Sequence, residues 1–142
     1  MRKTYFALSE MDGPKQLSVK LKGEVLVKWT DCVGIYNISH NLANEKFYWV
    51  QETGENALWY DPKYQNWKIG WLSRLGGSKA KLLTQRNTAS DLPHIALPWK
   101  YMKNGVWIGT DDIIVAEGVL DNLGLFLKDS FSNCRVAFES NK

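Results

Sequence analysis

Apolar and polar residues alternate with a period of two along most of this chain, the pattern of half-buried β-strands. "TYFALS" (Thr4–Ser9) and "LSVKL" (Leu17–Leu21) flank "EMDGPKQ", whose Asp-Gly-Pro is a turn signal. "EVLVKW" (Glu24–Trp29) reads as an extension of the second strand or the start of a third, and "VGIYNIS" (Val33–Ser39) as the next. "HNLANE" then reads as a polar loop, its asparagines suited to turn geometry. The next 27 residues, Lys46–Leu72, divide into "KFYWVQE", "ALWYD" and "WKIGW", separated by the turns "TGEN" and "PKYQN". This is an antiparallel meander. In the last strand, Trp67, Ile69 and Trp71 point one way while Lys68 and Gly70 point the other. The alternation predicts a core containing Trp67, Ile69 and Trp71, with Tyr36, Trp49, Trp59 and Trp107 also largely buried.

Further along, Gly76-Gly77 breaks the pattern and "KAKLLTQ" reads as a strand. "RNTASDLPHIALP" (Arg86–Pro98) is a long polar loop with two prolines. "WKYM", a Lys-Asn-Gly turn and "VWIG" make a hairpin, and "DIIVAE" continues as a strand. The C-terminal part supports two readings. Leu120, Leu123, Leu127 and Phe131 fit helical spacing, whereas "GLFLKD" and "CRVAFES" alternate like strands; Gly124 weakens the helix, and strands are favoured. The fold class expected is all-β: an antiparallel meander forming a small barrel or a sandwich, with one short C-terminal helix as the variant. No linker or low-complexity segment divides residues 1–142, so one domain is expected.

Composition sharpens this in one respect. Apolar and charged fractions of 44% and 23% are ordinary for a globular chain, but aromatics reach 13%, with seven tryptophans. Such a chain has a large-residue core, an exposed aromatic patch, or both. A net charge of +3 is too small to imply nucleic acid by itself. No apolar run is long enough for a membrane-spanning helix. The basic opening "MRKTYFALSEMDGPK" has no signal-peptide run either, so an intracellular location with reduced Cys32 and Cys134 is expected.

Candidate chemistry is sparse. His40 and His94 sit in polar loops without neighbours at metal-ligand spacing, and the cysteines lack a paired C-x-x-C arrangement. No nucleophile motif is present. Asp111-Asp112, the one adjacent acidic pair, splays across a strand end and reads as a solvated turn. Gly-Gly-Ser-Lys lacks phosphate-loop spacing. Asn37-Ile38-Ser39 is a glycosylation tripeptide that matters only in a secreted chain. Nothing calls for a catalytic set, a metal or a cofactor.

The strongest charge feature lies between Pro62 and Ser90, where Lys63, Lys68, Arg74, Lys79, Lys81 and Arg86 occur with no acidic residue and with Trp67 and Trp71 interleaved. Cations beside rings suit single-stranded nucleic acid. The alternation in "WKIGW" argues against it, because it turns the rings away from Lys68. The reading favoured is a non-catalytic interaction module binding a protein partner or larger assembly through a basic, aromatic face. The alternative is a glycan- or small-ligand-binding barrel.

"GIYNI", "NEKFYWV", "ALWYD", "NWKIGWLSRLGG", "PWKY" and "GVWIGTDDIIV" follow one another in order. Their order resembles a small tryptophan- and tyrosine-rich module, often repeated in proteins of marine invertebrates and single-celled eukaryotes. The likeness covers residues 34–115, with extensions at both ends, and departs at "NEKFYW", where the usual Asn-Gly turn is replaced. It implies a β-rich, non-catalytic accessory module. "KWTDCVGIYNI" also resembles the opening strand of small ligand-binding barrels, the calycins and avidins.

Overall fold

The computed structural model describes residues 13–86 and 92–118. Among the described residues, nine strands form one sheet: β1 (Gln16–Leu21), β2 (Gly34–Ala43), β3 (Lys46–Gln51), β4 (Asn56–Asp61), β5 (Asn66–Trp71), β6 (Leu82–Thr84), β7 (Trp99–Lys103), β8 (Val106–Thr110) and β9 (Ile113–Glu117). Each strand from β1 to β7 pairs antiparallel with the next, and β9 returns to pair antiparallel with β1. The sheet therefore curls into a nearly closed barrel with its two edges, β8 and β9, at the seam. The all-β meander is as the alternation predicts. "TYFALS" and the helix-or-strand question at the C-terminus fall outside the described residues.

The register puts one set of side chains inside. Leu17 pairs with Tyr36, Ile38 with Trp49, Trp49 with Leu58, Leu58 with Ile69, Tyr60 with Trp67, and Ile69 with Leu82. With Val19, Trp99, Ile113 and Val115 these residues make the core. Trp67 stacks edge-on against both Trp49 and Tyr60, with centroids 5.9 and 5.3 Å away. Such pairs add to the large area the rings remove from water. Cys32 is a free, buried thiol, and burial pushes its pKa up to about 12. Cys134 lies outside the described residues.

Three expectations about the elements change. "EVLVKW" is not a strand: Gly23–Lys28 forms a short helix of six residues, α1. β1 ends where the Lys22 amide donates to the Asp112 carbonyl (2.9 Å) and Gly23, at φ +63°, turns the chain. The helical turn then places Val25 and Trp29, four residues apart, on one side. Val25 is buried in the core while Val27 is 83% exposed. Glu24 and Lys28 fasten α1 to β7: Glu24 accepts from Tyr101 Oη (3.0 Å) and pairs with Lys103 (2.8 Å), and Lys28 Nζ donates to the Met102 carbonyl (2.8 Å). "HNLANE" is not a loop. β2 runs on to Ala43 past a bulge between Ile38 and Leu42, and Asn44-Glu45, both at positive φ, make a tight turn. The Asn44 amide donates to the carbonyls of Tyr60 and Gly76, which holds that turn without the usual glycine.

The third change concerns tryptophans. Trp59 is buried as expected, but on the outer face, beneath the β5–β6 connection (72–81). Its indole Nε1 donates to the Gly77 carbonyl (3.0 Å), and its ring lies over Gly70, where an added Cβ would stand 3.1 Å from Cη2. Trp71 is 41% exposed at one end of the barrel, because β5 runs out there. Trp107 is half-buried and faces outward, since its cross-strand neighbour Met102 lies between the inward Tyr101 and Lys103.

Candidate functional site

The basic stretch does not form one exposed face. Lys63, Arg74, Lys79 and Arg86 are exposed, but Lys68 and Lys81 are each only 2% accessible. This corrects the reading of all six as a partner-binding surface. Lys68 Nζ donates to Asp61 Oδ2 and Asn66 Oδ1, both at 3.0 Å. Lys81 Nζ donates to Asp31 Oδ2 (2.6 Å) and Asn56 Oδ1 (2.8 Å). A buried ammonium is tolerated only with such partners, so both lysines hold the fold together.

Lys81 sits at one end of the barrel. Its Nζ lies 4.6 Å from the centroid of Trp71 and 5.2 Å from that of Trp29, and the two rings meet edge-on at 6.0 Å. Beneath them, Asn56 Nδ2 donates to the Asp31 carbonyl and to Gln51 Oε1, while Gln51 Nε2 donates to the carbonyls of Asp31 and Val33. The cluster closes that end of the barrel with its polar groups joined to one another. Trp29 Nε1 is buried with no hydrogen-bond partner among the described residues.

Lys68 sits on the outer face and belongs to a different arrangement. Cross-strand pairing makes a row of Lys68, Leu83, Lys100 and Gly109 across β5, β6, β7 and β8. Lys68, Leu83 and Lys100 form the floor of a groove of about 420 Å³. Tyr64, from the β4–β5 turn, and Arg86, just after β6, line it, as do Trp107 of β8 and Ser78 of the β5–β6 connection. The turn that presents Tyr64 is set by Asp61, whose Oδ1 accepts from the Lys63 amide (2.9 Å). Three cations gather on Tyr64: Lys68 Nζ and Arg86 Cζ each lie 4.7 Å from the ring centroid, and Lys63 Nζ lies 5.5 Å away. Of these, Lys68 is paired with a carboxylate, Asp61.

Two of the six basic residues in the sequence reading, Lys68 and Arg86, line this groove, and Lys63 stands over the Tyr64 ring. Arg74 and Lys79 lie on the 72–81 connection outside the lining. Lys100, Tyr64 and Trp107 were missed as site residues. The outward alternation of Lys100 in "WKYM" and of Trp107 in "VWIG" was the available signal.

The other candidates do not converge. His40 is exposed on β2. His94 Nε2 lies 3.8 Å from Glu117 Oε1, and its buried Nδ1 has no partner among the described residues. Asp111 and Asp112 occupy the β8–β9 turn, where the Asp112 amide donates to Thr110 Oγ1 (3.0 Å). The Asn37 amide is held between Gln16 and Glu52. Among the described residues, no three His, Cys, Asp or Glu side chains are grouped to hold a metal, and no helix is long and apolar enough to cross a membrane. Comparison with protein-family models, with curated proteins and with solved structures gives no match for this chain.

Proposed function

We propose that this barrel is a non-catalytic binding module that captures an acidic macromolecular partner in the outer groove across β5–β8. The observation that carries the reading is the placement of Arg86 and Lys63 at the Tyr64 ring and of Lys100 on the groove floor, while the buried Lys68 is balanced by Asp61. Converging cations repel one another, and a concave low-dielectric wall concentrates their field, so an anion in the groove is stabilised. Trp107 and Leu83 supply apolar surface for the same partner. The barrel interior is filled by Tyr36, Trp49, Trp67 and Trp99, which favours a ligand on the outside over one held within the barrel. The likeness to a non-catalytic accessory module points the same way.

The test compares charge reversals at equal net charge. Arg86→Glu/Lys100→Glu changes two groove residues, and Lys15→Glu/Lys22→Glu changes two exposed lysines elsewhere. Retention on an immobilised polyanion, followed against salt, should fall steeply for the first pair and modestly for the second, since exposed charges are screened within about 10 Å at 0.1 M salt. Equal losses for both pairs would reduce the effect to net charge and remove the groove from the account.

A further inference from the structure

We infer that the ligand of this groove is an anionic saccharide, a sugar ring bearing a carboxylate or sulfate group. This rests on the reading of the groove as the binding site and goes on to name what it holds. A volume of about 420 Å³ suits one or two ring-sized units, near the lower end of the roughly 300–1,000 Å³ usual for small-ligand sites. It is too confined for the broad contact of a folded protein partner, which takes about 800 Å² per side.

The chemistry is divided within the groove. Trp107 is half-buried and turned outward, and Leu83 adds apolar surface on the floor of the same groove. An apolar sugar face fits such a surface because a fixed indole offers area at little conformational cost. Lys100 and Arg86 supply charge beside it, and neither is in an ion pair with a carboxylate among the described residues. A guanidinium matches the planar or forked oxygens of a carboxylate or sulfate. Ser78 adds a hydroxyl for ring hydroxyl groups.

Lys68 has a separate part. Its ammonium is committed to Asp61 and Asn66 and lies against Tyr64, so it fixes the Tyr64 wall. The Tyr64 ring is thus engaged by cations, which leaves the Trp107 indole as the stacking surface. Single-stranded nucleic acid would ask for successive exposed rings. The Asp and Glu side chains of an acidic peptide would satisfy Arg86 and Lys100 but have no ring face to lay on Trp107.

The experiment is calorimetric titration of the full chain with four probes at fixed, low salt. They are a hexasaccharide alternating uronate and sulfated hexosamine, a neutral hexasaccharide of N-acetylglucosamine, a glutamate peptide of matched charge, and a thymidine oligonucleotide of matched charge. The charged saccharide should bind at least about tenfold tighter than each of the others, a gap of roughly 1.4 kcal/mol. Arg86→Gln and Trp107→Ala should each weaken it by about tenfold or more, as for central contacts in a pocket, and Lys22→Gln by less than about twofold. Arg86→Gln alters an exposed side chain, so it remains informative if Trp107→Ala does not fold. Peptide or oligonucleotide binding as tight as the saccharide overturns the saccharide assignment and leaves the anion groove standing. Tight saccharide binding unchanged by Arg86→Gln overturns the assignment by moving the contact elsewhere. Failure of all three anions to bind overturns both readings.

Discussion

Replacing Lys81 with methionine should cost the domain about 2–4 kcal/mol, although it keeps an unbranched apolar stem one atom shorter than lysine's. Loss of the ammonium leaves Asn56 Oδ1, now bonded at 2.8 Å, as a buried acceptor without that donor, at about 1–3 kcal/mol. Its contacts with Trp71 and Trp29 contribute roughly 0.5–2 kcal/mol in a desolvated site. The pair with Asp31 adds less than about 1 kcal/mol, because the Asp31 side chain is 51% exposed and regains water once released. Relief of the buried ammonium's desolvation offsets part of the sum. For a chain of this size the net corresponds to a fall in Tm of about 8–16 °C, followed by thermal or urea unfolding. Lys79→Met, two residues away on an exposed side chain, is the control and should stay within about 0.5 kcal/mol. Equal Tm values for the two variants would refute the argument that Lys81 is a structural cation. The same reasoning makes Lys81→Glu a poor probe of binding, since it would set a carboxylate against Asp31 inside the fold.

Three further outcomes follow from the packing and the charges. Trp67→Ala should lose about 3–5 kcal/mol by emptying a site in contact with Trp49 and Tyr60, and an unchanged Tm would remove this face from the core. Gly70→Ala should cost about 1–3 kcal/mol, because the new methyl meets the Trp59 ring at 3.1 Å and the Ala80 backbone at 3.2 Å; undiminished stability in denaturant titration would show that the 72–81 connection gives way freely. Lys103 and Tyr101, bonding to Glu24, hold its pKa below the usual 4.5. Its contribution is therefore complete above that value and is lost as pH falls through the lower folded value. Glu24→Gln should flatten part of the acid limb of the stability profile, and an unaltered limb would contradict the α1–β7 clamp.

The antiparallel meander was legible because period two and turn residues are local signals, and β3, β4 and β5 lie where the alternation puts them; the pairing of β9 with β1 was not, because it joins strands far apart in the chain. α1 was not, because "EVLVKW" satisfies both periods: the alternation around Val25 and Val27 suits a strand, and the four-residue step to Trp29 suits a helix. Contact with the barrel end decided between them. The outward direction of Lys68 could be read, but not its burial; the burial of Trp59 could be read, but not the cover that buries it on the outer face. Lys68 is covered because Asp61, Asn66 and Tyr64 close around it, and Trp59 because the 72–81 connection folds back over it. Lys81 finds its acceptors 50 and 25 positions away, beyond any local pattern. The groove depends on the registers that align Lys68, Leu83 and Lys100, so its members looked unrelated in the sequence.

The most direct measurement of the central claim is a ¹H–¹⁵N titration of the labelled chain with the charged hexasaccharide, including the indole resonances. The account predicts saturable shifts gathered at Tyr64, Leu83, Arg86, Lys100 and the Trp107 indole, reversed as salt is raised. Shifts gathered instead at Trp29, Asp31 and Trp71, or spread evenly over the exposed lysines, would contradict it.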